Sequence, residues 1–379
     1  MLLLASGLAL ASPAEARAQP AACVPVGVWI DPASNERRDD AIAALAKRKV
    51  VLLGEAHDEV EHHRWQLHTI AALRDRRPDL VLGFEMFPRR VQPVLDRWVK
   101  GELSEADFLR DVDWAAVWGF DADLYLPLFH FARMHRIPMV ALNIDRDTSR
   151  KVVQRGISNV PLAEREDVGD PAPATPAYRD RLFEVFKQHP AGGAGASRDS
   201  GVFGRFVEAQ LLWDRAMAEA LVAGRREKEP LIVGVMGQGH MEYRDGVVHQ
   251  LAALGVDDVA TALPWPADAE CKRPDPRIAN FVFGVAPPKQ ARTPPPRLGV
   301  ALSVVEGGTR VDRVIPNSIA EATGVQVGDV IEKAAGVSMR VPADVVTVVR
   351  RQAPGTLLPL LVRRGEQSLE LMARFPAEH

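Results

Sequence analysis

Residues 50–53 (VVLL), 80–84 (LVLGF), 138–142 (PMVAL) and 231–235 (LIVGV) are nearly unbroken apolar runs, and strands of this kind must be covered on both faces. Such strands belong in the middle of a sheet with helices above and below. A fifth run lies at 259–263, and helix-period patterns fall between the runs at 59–76, 91–100, 124–135, 178–189 and 203–226. The alternation predicts an α/β fold: a three-layer α/β/α domain with a largely parallel sheet. No internal repeat interrupts it.

Ligands of open parallel sheets bind beyond the carboxyl ends of the strands. The residues just past each run are therefore informative. The first run leads into Gly54, Glu55, Ala56 and His57, the second into Glu85, the third into Asn143, and the fourth into Gly237, Gln238, Gly239 and His240. Four strands thus deliver Glu55, His57, Glu85, Asn143 and His240 to one edge. Gly54, Gly237 and Gly239 are expected to allow positive-φ turns and a close backbone approach to a ligand. Carboxylates and imidazoles in one cleft can hold a metal or act as acid and base.

Other chemistries lack their signatures. There is no P-loop, no GxSxG elbow and no CxxCH for covalent haem. His57 and His62 are five apart, so one helical face could not give both to a metal. His62, His63 and His68 read as surface or helix-packing residues, with His62 or His63 able to face the cleft, and His130 and His135 as structural. Gln210 and Asp214 share a helix face at i, i+4; they either point at the sheet edge or fix neighbouring backbone.

At 379 residues the chain has room for about two domains. A net charge of −3 gives no basic patch for nucleic acid. Residues 2–11 form a short apolar run, and Ala16 and Ala18 fit a signal-peptidase site, although no basic residue precedes Arg17. We expect residues 1–18 to be a leader cleaved after Ala18, and the protein to be exported to the periplasm or envelope. Cys23 and Cys271 allow one disulfide, with a lipid-anchored Cys23 or two free thiols as alternatives. The proline-rich segment 286–296 reads as a linker between a domain at 24–285 and another at 297–379, while 191–201 and 170–177 read as an irregular loop and arm.

GEAHD (54–58), FEMF (84–87), WGFDADLYLPLF (118–129), ALN (141–143), FVEAQLLWDRAMA (206–218) and GQGH (237–240) together resemble the ChaN haem-binding family, over residues 24–285. The resemblance implies an α/β/α fold in a superfamily with Tiki, TraB and erythromycin-esterase-like proteins. It also implies haem binding and iron uptake at the bacterial envelope, with haem held by a tyrosine between two chains of a homodimer. Tyrosinate suits ferric iron, and the chain offers Tyr125, Tyr178 and Tyr243. Tyr178, where the 170–177 arm meets a helix, is ranked first, and His57, Glu85, Asn143 and His240 are expected to line the haem pocket.

Resemblance to the Tiki branch implies a competing hydrolase of peptides or esters. There Glu55, His57 and His240 would bind a divalent metal such as Mn, Co or Zn, and Glu55 and Glu85 would be catalytic, Glu55 activating water.

Beyond the linker, RLGVAL (297–302) and VIPNSIAEATGVQVGDVIEKAAG (314–336) resemble a bacterial PDZ domain. That resemblance implies that Leu298, Gly299 and Val300 bind the C-terminal peptide of an envelope protein. No GNSGG serine motif accompanies it. A third reading is a PDZ scaffold whose large domain has no ligand.

Overall fold

Strands without a polar face must sit between two layers, and the chain provides both. The computed structural model describes residues 23–188, 196–224, 229–267, 271–287 and 296–377. The expected leader lies outside the described residues, as do 191–195 of the glycine-rich loop and 288–295 of the linker.

Among the described residues the N-terminal domain carries eight strands: β1 (Trp29–Asp31), β2 (Glu36–Arg37), β3 (Val50–Glu55), β4 (Leu80–Pro88), β5 (Met139–Asn143), β6 (Leu231–Gly237), β7 (Val259–Pro266) and β8 (Phe281–Val285). Their spatial order is β2-β1-β8-β7-β3-β6-β4-β5, and every pairing from β8 to β5 is parallel. The two pairings made by β1, to β2 and to β8, are antiparallel.

The strand pleat sends alternate side chains to opposite faces. Val51 and Leu53 join one core with Phe84, Ile70 and Phe129, whereas Val50 and Leu52 join the other with Val81, Met217 and Leu251. The helices Val60–Arg76, Gln92–Lys100 and Ala122–Met134 cover the first face, and Gly201–Ala223 and Val247–Ala253 the second. The long Gly201–Ala223 helix starts where Ser200 Oγ accepts the Phe203 N–H at 3.1 Å, an N-cap that satisfies one orphan donor.

The C-terminal domain is an antiparallel sheet of β9 (Val300–Val305), β10 (Gly308–Val314), β11 (Val330–Ala334), β12 (Val337–Ser338), β13 (Leu357–Arg364) and β14 (Gln367–Arg374), in the order β14-β13-β11-β10-β9 with β12 on β11. Leu298, Val311, Ile331, Leu360 and Phe375 form its separate core. Gly299 has φ +85°, and a Cβ there would lie 2.2 Å from Ser318 Cβ, so this turn accepts glycine alone. Among the described residues no helix is long and apolar enough to cross a membrane.

Cys23 and Cys271 are joined by a disulfide across a sequence separation of 248, tying the segment before β1 to the one between β7 and β8. Loop-closure entropy makes this bond worth at most about 5 kcal/mol. Cys271→Ser, or reduction, is therefore expected to lower the urea midpoint markedly. Equal midpoints in oxidising and reducing buffer would show that the bond does not stabilise the fold.

Candidate functional site

The strand order explains why distant residues meet. β3, β6, β4 and β5 are consecutive neighbours, so their carboxyl ends form one continuous rim. Glu55 ends β3, Glu85 lies in β4, Asn143 ends β5, and Gly237 ends β6, just before the short turn that bears His240.

Two acid–histidine clusters face each other there. In the first, Glu55 is buried beneath His57. His57 Nδ1 donates to Glu55 Oε1 at 2.9 Å, and the Tyr125 hydroxyl donates to the same oxygen at 2.7 Å. His63 Nδ1 lies 3.3 Å from the other oxygen. Burial opposes the Glu55 charge, yet the hydrogen bonds from His57 and His63 outweigh it and hold the carboxyl at about 2. His57 is raised: burial works against its cation, but the Glu55 hydrogen bond and the Glu85 charge prevail. Burial, with the nearby Glu55, pushes the Tyr125 phenol far above its ordinary value.

In the second cluster, His240 Nδ1 donates to Asp214 Oδ1 at 2.6 Å, and the Tyr178 hydroxyl donates to Asp214 Oδ2 at 2.8 Å. His240 Nε2 is 3.5 Å from Glu85 Oε1, and Glu85 Oε2 accepts the Gly237 N–H at 2.6 Å. Burial again opposes the imidazolium, but the Glu85 and Asp214 charges raise His240 to about 9.

Gly237 lies between the clusters. A Cβ there would sit 2.9 Å from His57 Cε1 and 3.6 Å from Glu85 Oε2. Its φ is −57°, so glycine is required for space and not for a left-handed turn. Gly54 and Gly239 likewise lack positive φ, which corrects that part of the expectation. Gly54 is still needed, because a Cβ would meet Leu263 Cδ2 at 2.4 Å, whereas at Gly239 the space is open.

Aromatic rings flank the open edge of His57, with Trp118 at 4.7 Å and Phe120 at 5.1 Å between centroids. The model of the family described as "Haem-binding uptake, Tiki superfamily, ChaN" matches residues 41–251, more than half of the chain. The chain belongs to this family.

Among solved structures, the ChaN of Campylobacter jejuni, described as showing cofacial haem binding, is 17% identical with a TM-score of 0.54, covering 67% of this chain and 95% of that one. The likeness establishes a shared fold. A PDZ-domain model matches residues 310–364. An HtrA-type protease, AlgW, solved with a decapeptide, is 22% identical with a TM-score of 0.20 over 22% of this chain and 29% of that one. The HtrA3 PDZ domain bound to a phage-derived ligand is 27% identical with a TM-score of 0.19 over 21% and 82%. No curated protein matches.

In this ChaN-family chain the expected rim residues do meet, but with differing tasks. His57, Glu85 and His240 converge as described. Asn143 is structural at its tip: its amide donates to Glu85 O at 3.0 Å and accepts the Ile144 N–H at 2.9 Å, fastening β5 to β4. The divalent-metal set of Glu55, His57 and His240 is not supported. Among the described residues no group of three His, Cys, Asp or Glu side chains is placed to hold a metal ion. Glu55 points inward, with Oε1 taken by His57 and Tyr125 and Oε2 buried without a hydrogen-bond partner among the described residues.

Tyr178, expected at the lip of the pocket, is instead 3% exposed and spends its hydroxyl on Asp214. Tyr125 is buried against Glu55, and the half-buried Tyr243 lies under the Arg181 guanidinium, 4.4 Å from its ring centroid. His63 is a buried second layer whose Nε2 lies 3.1 Å from His57 O. His62 Nδ1 accepts the Ala56 N–H, and burial lowers it to about 4, so it is neutral. Asp214 faces the site, whereas Gln210 is not part of either cluster. The partner that Asp214 gives His240 was invisible to spacing alone.

Proposed function

We propose that this chain is an exported haem-binding protein of the bacterial envelope, with a ChaN-like domain at 24–285, a linker at 286–296, and a PDZ domain at 297–379 that takes C-terminal peptides at Leu298, Gly299 and Val300. The observation that carries the haem reading is His57. Its Nδ1 is fixed by a buried carboxylate, its ring edge is partly open, and Trp118 and the 36%-exposed Phe120 supply aromatic surface beside it. A histidine whose far nitrogen donates to a carboxylate is the arrangement that orients imidazole as a metal ligand and raises its basicity. The donor set therefore fits haem iron, which imidazole suits. Bound haem would supply the iron and a broad aromatic plane. The chain would supply His57 Nε2, the aromatic flanks, and the Glu85–His240 pair behind them. Export is supported by the apolar start with its small-residue motif and by the disulfide, which persists in oxidising compartments.

Haemin titration of the full chain, followed at the Soret band, tests this. His57→Ala is expected to weaken binding by about tenfold or more, and Tyr178→Phe to leave the band in place. Loss on Tyr178→Phe with His57→Ala unchanged would place the iron on the phenolate. No Soret change in the wild type would end the haem reading.

A further inference from the structure

A cavity of about 260 Å³ opens beside the two histidine clusters. Trp118 forms part of its wall and also packs on His57; Trp213 forms another part and lies 6.1 Å from the His240 ring. Met86, Val117 and Ile144 add apolar surface, while Arg90, Arg146 and Arg150 stand at the rim with Asp145 and Asp147.

Two of these arginines are already neutralised. Arg90 Nε lies 2.7 Å from Asp145 Oδ1, and Arg150 Nη1 lies 2.7 Å from Asp147 Oδ1. Arg146 makes no ion pair among the described residues; its one polar contact is a long 3.4 Å bond from Nη2 to Trp118 O. The indole N–H of Trp213 is buried and has no acceptor among the described residues. The cavity thus combines aromatic walls and one uncompensated guanidinium.

We infer that this cavity receives the carboxylate edge of a planar aromatic ligand, with Arg146 pairing with the carboxylate. The size supports an edge and not a whole ligand, since pockets that enclose a drug-sized molecule run from about 300 Å³ upward. The planar guanidinium matches a carboxylate in two parallel hydrogen bonds. The inference rests on the haem reading and names the part of the ligand recognised here.

Porphyrins without iron separate this from ligation by His57. The full chain is titrated with protoporphyrin IX, with its dimethyl ester, and with haemin, followed by absorbance and fluorescence. The diacid is expected to bind about tenfold tighter than the diester. Arg146→Ala should erase that difference and Arg146→Lys restore part of it, while thermal unfolding stays unchanged because Arg146 is exposed. The preference should also shrink in high salt. Equal binding of diacid and diester, or a loss on Arg146→Ala that falls equally on both, overturns the carboxylate assignment while leaving haem binding intact. Failure of haemin and both porphyrins to bind overturns the haem reading and this inference together.

Discussion

Replacing Asp214 with alanine is expected to cost about 3–5 kcal/mol of stability, the loss expected when one member of a buried charged pair is removed. Asp214 is fully buried and accepts from both His240 and Tyr178, so truncation strands an imidazolium and a phenol at once. Tyr178→Phe, which removes one neutral donor, should cost only about 1 kcal/mol. The pH dependence distinguishes the charge from the packing. His240 is held near 9 against about 6.5 in the unfolded chain. Its contribution, about 3 kcal/mol, is fully present below pH 6.5 and fades as pH rises through 9. Wild type should therefore lose stability across that window, and Asp214→Ala should lose much less because part of the raising charge is gone. Urea unfolding at about pH 6 and about pH 9.5 measures both; equal slopes with pH in the two proteins would remove the ion pair from the account.

The rim of the site was legible because strand ends are legible. The apolar runs stop close to the ends of β3, β5 and β6, while β4 continues past its run to Pro88, so the residues just after the runs had to lie at or near the carboxyl edge. Which of those ends are adjacent could not be read. β6 inserts between β3 and β4 although a long stretch of chain separates it from β4, and that insertion brings Gly237 against His57 and Glu85. The short β1 and β2 are too brief to carry a strand pattern, whereas β8 has an apolar run (FVFGV) as long as the one at 80–84, the signal that could have found it. Their pairing depends on the edge that β7 offers.

Side-chain direction was the second limit. Glu55 and Glu85 looked equivalent as glutamates at strand ends, but they turn different ways: Glu55 lies under His57 towards Tyr125, and Glu85 reaches sideways to His240 and the Gly237 N–H. Helical spacing placed Asp214 with Gln210 on one face yet gave no rotation of that face relative to the sheet edge. Tyr178 is the same case reversed. The loose segment before it suggested reach, whereas its ring packs with Leu182, Phe183 and Phe203 and its hydroxyl is consumed below the surface.

Glu55→Gln should weaken haem binding by about 10–100-fold without removing a single ligand atom. The amide keeps the shape but loses the charge that, with Glu85, holds the His57 ring in its oriented, Nδ1-protonated state. Its oxygen can still accept from His57 and Tyr125, but its nitrogen would face His63 Nδ1 where a negatively charged oxygen stood 3.3 Å away. The same substitution should rewrite the acid limb of stability. Glu55 lies at about 2 in the folded chain against about 4.5 in its ordinary state, so its contribution is fully present above pH 4.5 and is lost as pH falls through 2. That difference corresponds to about 3 kcal/mol at neutral pH. Glu55→Gln should thus unfold more easily in urea at about pH 7 and show a flatter stability profile between about pH 5 and 2. A haemin affinity equal to wild type in a variant whose acid profile has flattened would mean that the buried carboxylate serves the fold alone, and His57 would then need no oriented ring to hold iron.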